Sequence, residues 1–112
     1  MSSQLQRSRN RAFQRQGGRC FYCGVIMRRP PNAPAGGRLR CTAEHLLPRS
    51  EGGSEAFDNI VAACAHCNRT RHLRKRPPGH DDYRQDVLRR VGRGEWHPRW
   101  VFERGLIGPP RN

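Results

Sequence analysis

Apolar and polar positions along the chain fall into short patterned stretches separated by turn-rich gaps. Residues 4–16 hold neither Pro nor Gly and predict a short basic helix, with Leu5, Ala12 and Phe13 as its few apolar positions and Gly17-Gly18 as its stop. The stretch 28–40 is rich in Pro, Gly and Ala and predicts a loop. Residues 40–47 alternate loosely and predict a strand, and residues 48–54 form a turn-rich excursion containing Gly52-Gly53. Residues 58–63 return as a short apolar run, and residues 68–75 read as the start of a basic helix. Pro77-Pro78-Gly79 breaks the chain, after which Asp81 is placed to cap a final helix through Tyr83, Val87, Leu88 and Val91. Trp96, Trp100, Val101 and Phe102 follow in the tail and are expected to pack on a small core rather than to stack on bases. The pattern predicts a small α+β domain spanning 1–112, with its core at about 17–76, the basic helix at 4–16 before it, and a helix and tail at 80–112 after it. No internal repeat is visible.

Composition sharpens this. At 112 residues and 34% hydrophobic content, with 12 glycines and 9 prolines, the chain buries little apolar surface and calls for a further staple. Charge then narrows the partner. Lys and Arg total 22 against 9 Asp and Glu, a net charge of +13, and all but Lys75 of the 22 are arginine. Arginine forks onto phosphate oxygens, so a polyanion partner is expected, with binding that weakens steeply in salt. The competing explanation is an arginine-rich coding bias in a GC-rich genome. No stretch reaches the roughly 20 apolar residues of a membrane helix, and the N-terminus lacks the apolar centre of a signal peptide. A reducing, cytoplasmic setting is expected, which disfavours disulfides.

Five cysteines supply candidate staples. Cys20-x-x-Cys23 and Cys64-x-x-Cys67 each place two thiolates on a tight knuckle, and two knuckles make the tetrahedral four-sulfur site that structural zinc prefers. A buried or redox pair of cysteines is the alternative. Cys41 is left over and is assigned no role. Zinc at the four sulfurs would supply much of the folding free energy, so chelation is expected to unfold the chain.

Between and just after the knuckles lie groups suited to phosphodiester chemistry: Glu44-His45, a Pro-x-Ser-x-Gly-Gly turn from Pro48 to Gly53, Asn59, and the pair Asn68 and His72. Hydrolysis of a phosphodiester needs a base for the attacking water and a cation at the phosphate and leaving oxygen. Hard oxygen ligands suit Mg²⁺ or Mn²⁺, and imidazole widens the choice to Ni²⁺, Co²⁺ or Zn²⁺. On a strand Glu44 and His45 point to opposite faces. On a helix Asn68 and His72 share one face. Glu44, Asn68 and His72 can therefore converge on one ion while His45 stays free. His66, His80 and His97 are read as non-catalytic. Arg49, Arg69, Arg71, Arg74, Lys75 and Arg76 are expected at phosphates, the alternative being a solvated face.

The run Glu44-His45, Pro48, Ser50, Gly52-Gly53, Asn59, Cys64-x-x-Cys67-Asn68 resembles the HNH endonuclease motif in its four-cysteine form, and the stretch from Gly17 to Gly24 resembles that family's opening knuckle. The resemblance implies a ββα-metal fold with flanking helices. It implies that His45 is the general base, that Glu44 is a metal ligand, and that Asn59 holds the hairpin loop and orients the base. The last motif position falls on Asn68, where many members carry histidine, and His72 sits where some members place a further ligand. The implied products carry 5′-phosphate and 3′-hydroxyl ends.

The expectation is thus a metal-dependent DNA endonuclease, cytoplasmic and bacterial or phage-encoded, with structural zinc and a catalytic Mg²⁺, Mn²⁺, Ni²⁺ or similar ion. Phage packaging, restriction, toxin and mobile-element settings all use this motif. Sequence specificity is expected to be weak or supplied by a protein partner. The rival is a non-catalytic zinc module that binds DNA or a partner protein through the same basic surface.

Overall fold

The computed structural model describes residues 3–29, 32–33 and 37–108. The expected loop at 28–40 lies partly outside the described residues, as does the end of the tail at 109–112. Helix α1 spans Ser3–Arg15 and buries Leu5, Ser8 and Ala12. It stops at Gly17-Gly18, where the Gly18 amide turns back to the Phe13 carbonyl. Strand β1 is Cys41–His45 and strand β2 is Ile60–Cys64. They pair antiparallel in the register Cys41↔Cys64, Ala43↔Ala62, His45↔Ile60. Helix α2 covers Ala65–Arg71, α3 covers His80–Gly92 and α4 covers Arg99–Glu103. Two strands and four α-helices among the described residues make this an α+β chain, and β1, β2 and α2 follow one another as a ββα unit.

Side-chain alternation decides what each face of the hairpin meets. Asn68 reaches Thr42, and Arg71 and His72 reach Glu44, so α2 covers the face of Thr42 and Glu44. Every residue of β2 is buried, so its other face is covered too. That cover is α1, which packs on both strands and brings Arg9 into the field of Cys41. Cys41, Ala43 and His45 therefore face the α1 side. The core joins Ala12, Val25, Met27, Leu39, Ala62, Val87, Val101 and Ile107 to the cysteine knuckles and the ring of Tyr22.

Several expectations shift by physical causes. Helix α2 starts at Ala65, because Cys64 caps it through its sulfur, and it ends at Arg71 with His72 as its C-cap. Arg74, Lys75 and Arg76 thus lie beyond the helix rather than in it. Helix α3 begins at His80 behind Gly79, with no side-chain cap, so Asp81 sits in the first turn as a charge favourable to the helix dipole. Tyr83, Val87 and Val91 face inward, while Leu88 remains exposed. In the tail Val101 is buried and Trp96 and Phe102 lean on the core, but Trp100 stays exposed.

Candidate functional site

The sulfurs of Cys20, Cys23, Cys64 and Cys67 all lie within 4.8 Å of one another, and all four residues are buried. Metal–sulfur distances of about 2.3 Å in a tetrahedron imply sulfur–sulfur edges of roughly 3.8 Å; Cys23 and Cys64 stand 3.9 Å apart. The donor set thus fits a metal ion such as zinc. Ionisation agrees with this. Burial holds the Cys23 and Cys67 thiols far up. At Cys20 burial also opposes charge, but the neighbouring Cys23, Cys64 and Cys67 groups outweigh it and bring that thiol down. Four negative sulfurs cannot share so small a volume without a cation.

Backbone and side-chain N–H groups converge on these sulfurs. The Cys64 amide donates to Cys20 Sγ at 3.3 Å, and the Cys67 amide to Cys64 Sγ at 3.4 Å. Trp96 Nε1 donates to Cys67 Sγ at 3.2 Å, and His97 Nε2 lies 3.3 Å from Cys23 Sγ. Arg38 Nε donates to His97 Nδ1 at 3.0 Å, which leaves the imidazole proton on Nε2, facing the sulfur. Burial and the Arg38 charge depress the His97 pKa to about 4, so the ring is neutral. Trp96 adopts φ 81°, the only positive φ outside glycine among the described residues. A bulky side chain in that region is strained. Nothing local in the sequence marks Trp96 and His97 for this place, because they lie far along the chain from the knuckles they cover.

The second cluster is polar and asymmetric. Glu44 is buried and divides its two oxygens. Oε1 lies 3.0 Å from His72 Nε2. Oε2 accepts from the Tyr22 hydroxyl at 3.0 Å and from Arg71 Nη1 at 3.1 Å. Arg71 also donates to the carbonyls of His45, Leu46 and Pro78. The structure thus corrects the expectation of Arg71 at a phosphate: at 2% exposure its guanidinium is an internal tie between α2, the hairpin and the approach to α3. Its spacing carried a usable signal. Arg71 follows Cys67 by four positions, and a helix turns both onto the same inward face. Tyr22, inside the first knuckle, offered no such signal.

Glu44 and His72 are brought together, and both can ligate a cation. Asn68 lies close by on α2, with its amide nitrogen bound to Thr42 Oγ1 at 3.0 Å and the Ala43 carbonyl at 3.1 Å. That fixes the amide, and its oxygen accepts no hydrogen bond among the described residues. Glu44 and His72 offer a carboxylate and an imidazole side by side, with the Arg71 guanidinium on the other Glu44 oxygen.

His45 ends β1 on the opposite face. Its Nε2 accepts from Arg49 Nε at 3.2 Å, and Arg49 Nη2 reaches Glu55 at 2.8 Å. Burial, and then the charge of Arg49, lower the His45 pKa and favour neutral imidazole. The loop beyond is tied by Asn59. Its Oδ1 accepts from the Leu47 amide at 2.9 Å, and its Nδ2 donates to the carbonyls of Leu47 at 3.1 Å and Ser54 at 2.8 Å. Glycine is obligatory at position 53, where a Cβ would overlap the Leu47 carbonyl oxygen. Arg49, Arg69, Arg74, Lys75 and Arg76 are exposed. Among the described residues, no helix is long and apolar enough to cross a membrane.

Residues 32–74 match the family model of the HNH endonucleases. The match takes in both strands, α2 and the second knuckle, while the first knuckle lies before it. A search of curated proteins finds no match to the chain.

Proposed function

From the HNH domain at residues 32–74 and the buried four-cysteine metal site beside it, we propose a metal-dependent endonuclease that hydrolyses phosphodiester bonds of DNA. The observation that carries this reading is the edge of the hairpin at Glu44-His45. There the His45 imidazole takes a hydrogen bond from Arg49 at Nε2, while the preceding carboxylate turns the other way onto a second imidazole. His45 takes the proton of the attacking water through Nε2 once Arg49 swings from it to a phosphate oxygen. Asn59 keeps the loop closed, so that the base holds its position. Glu44, Asn68 and His72 hold a divalent ion such as Mg²⁺, Mn²⁺ or Ni²⁺. When bound, such an ion supplies charge neutralisation at the scissile phosphate and the leaving 3′ oxygen. Arg49, Arg69, Arg74, Lys75 and Arg76 contact flanking phosphates, and zinc at the four cysteines is structural.

Plasmid cleavage by the purified protein with Mg²⁺, Mn²⁺, Ni²⁺ or EDTA, beside His45→Ala, tests the proposal. Nicking or linearisation should require the metal and fall by a factor on the order of 10²–10⁴ in the variant, the usual contribution of a positioned base. Full cleavage by His45→Ala would end this assignment.

One observation favours a second reading. Arg71 lies 3.1 Å from the carboxylate that the reaction would need as a ligand. A guanidinium in that position suits a non-catalytic zinc module that binds DNA or a protein partner, with Glu44 serving the fold alone. Salt-sensitive DNA binding without cleavage under any metal would favour it.

A further inference from the structure

Helix α1 contains no acidic residue, yet Arg7, Arg11 and Arg15 recur along it at every fourth position. Side chains spaced by four share one face, here with a rise of about 6 Å between successive arginines. Like charges at that spacing disfavour a helix. Salt bridges among the described residues use Arg49, Arg71, Arg89, Arg90, Arg93 and Arg99, and none reaches this row. The partners of the row are neutral. Arg7 donates to Ser3 Oγ at 2.6 Å and Gln4 Oε1 at 3.1 Å. The Arg11 guanidinium lies 4.4 Å from the centre of the Phe57 ring, in the hairpin loop. Arg15 donates to the Ile60 carbonyl at 3.5 Å, and Ile60 is the residue paired with His45. The Ile60 carbonyl points away from β1, so the row follows the outer edge of β2 and ends one strand away from His45.

We infer that Arg7, Arg11 and Arg15 form a phosphate track that holds one strand of duplex DNA along α1, beside the outer edge of β2 and one strand from His45. The inference rests on the reading of the chain as a DNA endonuclease and adds to it the route of the substrate. The neutral partners explain why the row is free to act: hydroxyl, amide, carbonyl and ring contacts position the guanidinium groups without cancelling their charge.

The test measures binding rather than cleavage. Full-length His45→Ala protein is titrated against a short fluorescent DNA duplex at several salt concentrations, with and without Arg7→Gln, Arg11→Gln and Arg15→Gln together. Each lost phosphate contact should lower the slope of log affinity against log salt by about 0.9, so the triple variant should lose about 2.7. A control with Arg99→Gln and Arg104→Gln, on the C-terminal helix and its cap, should keep the slope, and thermal melts should show all variants folded. An unchanged slope in the folded triple variant overturns the track, as does an equal loss in the control. Tighter binding of an RNA duplex of the same length overturns DNA as the occupant. Cleavage of plasmid by otherwise unmodified protein is scored separately. A cleaving enzyme with an unchanged slope refutes only the track, and a lost slope without any cleavage refutes only the enzyme.

Discussion

The four-sulfur cluster and the Glu44-His45 edge share one hairpin, yet they are built in opposite ways. The sulfurs sit buried, with N–H donors from Cys64, Cys67, Trp96 and His97 closing in from two separate parts of the chain. The edge proposed for hydrolysis is half open, its groups satisfied largely by one another: Glu44 by Arg71 and His72, and His45 by Arg49. One is an assembly of four sulfurs that a cation would hold together. The other is stable without one and keeps side chains that can exchange partners. Structure and chemistry are thus segregated to the two ends of the same pair of strands.

The sharpest way to break this contrast is to remove the metal from the sulfurs. Chelation, or Cys64→Ser, should abolish the cooperative fold, because zinc binding to such a site is worth on the order of 10 kcal/mol of folding free energy. Far-UV circular dichroism and metal content per chain check this. EDTA at a concentration that empties only the divalent-ion site should leave the fold intact.

Next in size is Arg71→Met, which strands the Glu44 carboxylate in the interior and should cost about 3–5 kcal/mol in urea unfolding. Combining it with Glu44→Leu should recover much of that loss. Cleavage should not return, because the ligand is gone with the charge. Stability and activity would then separate at a single side chain. A double variant that cuts DNA would remove Glu44 from the metal.

Gly53→Ala acts on the loop alone. The added methyl must displace the Leu47 carbonyl, and a cost of about 1–3 kcal/mol is expected from the strain. Because Asn59 binds that same carbonyl, cleavage should fall more steeply than stability. The smallest expected effect is Trp96→Phe, which removes one N–H from Cys67 and should cost about 1 kcal/mol. Faster zinc release to a colorimetric chelator is its signature. An unchanged release rate would reduce the indole contact to packing.

What was legible in the sequence depended on how local each signal was. The cysteine knuckles declared themselves because two residues at fixed spacing are enough to define a tight turn. Gly17-Gly18 marked the end of α1 for the same reason. Glu44 and His45 could be assigned to opposite faces because a strand alternates strictly. Arg71 lies in a basic run that reads as solvent-facing; its four-residue offset from Cys67 marks an inward face but not the group it meets there. Its partner Glu44 lies 27 positions away in sequence, so only the fold brings the two together. Arg38, Trp96 and His97 were silent for a similar reason: their roles depend on where the chain passes the sulfurs, and no periodicity records that. Helix α4 is a short turn of five residues held by packing, with too little pattern to announce it.

The cover that Trp96 and His97 place over the sulfurs also fixes an order of events during synthesis. The knuckle cysteines emerge from the ribosome well before residues 96 and 97, so the thiolates can capture their ion while two of their N–H partners are still in the tunnel. A nascent chain should therefore pass through a stage in which metal is held but exchanges readily, and should become slow to exchange only when Trp96 and His97 are free. Stalled chains released just before and just after this dipeptide would show it directly, as a drop in exchange rate across two residues. No drop would mean that the ion is retained by the knuckles alone.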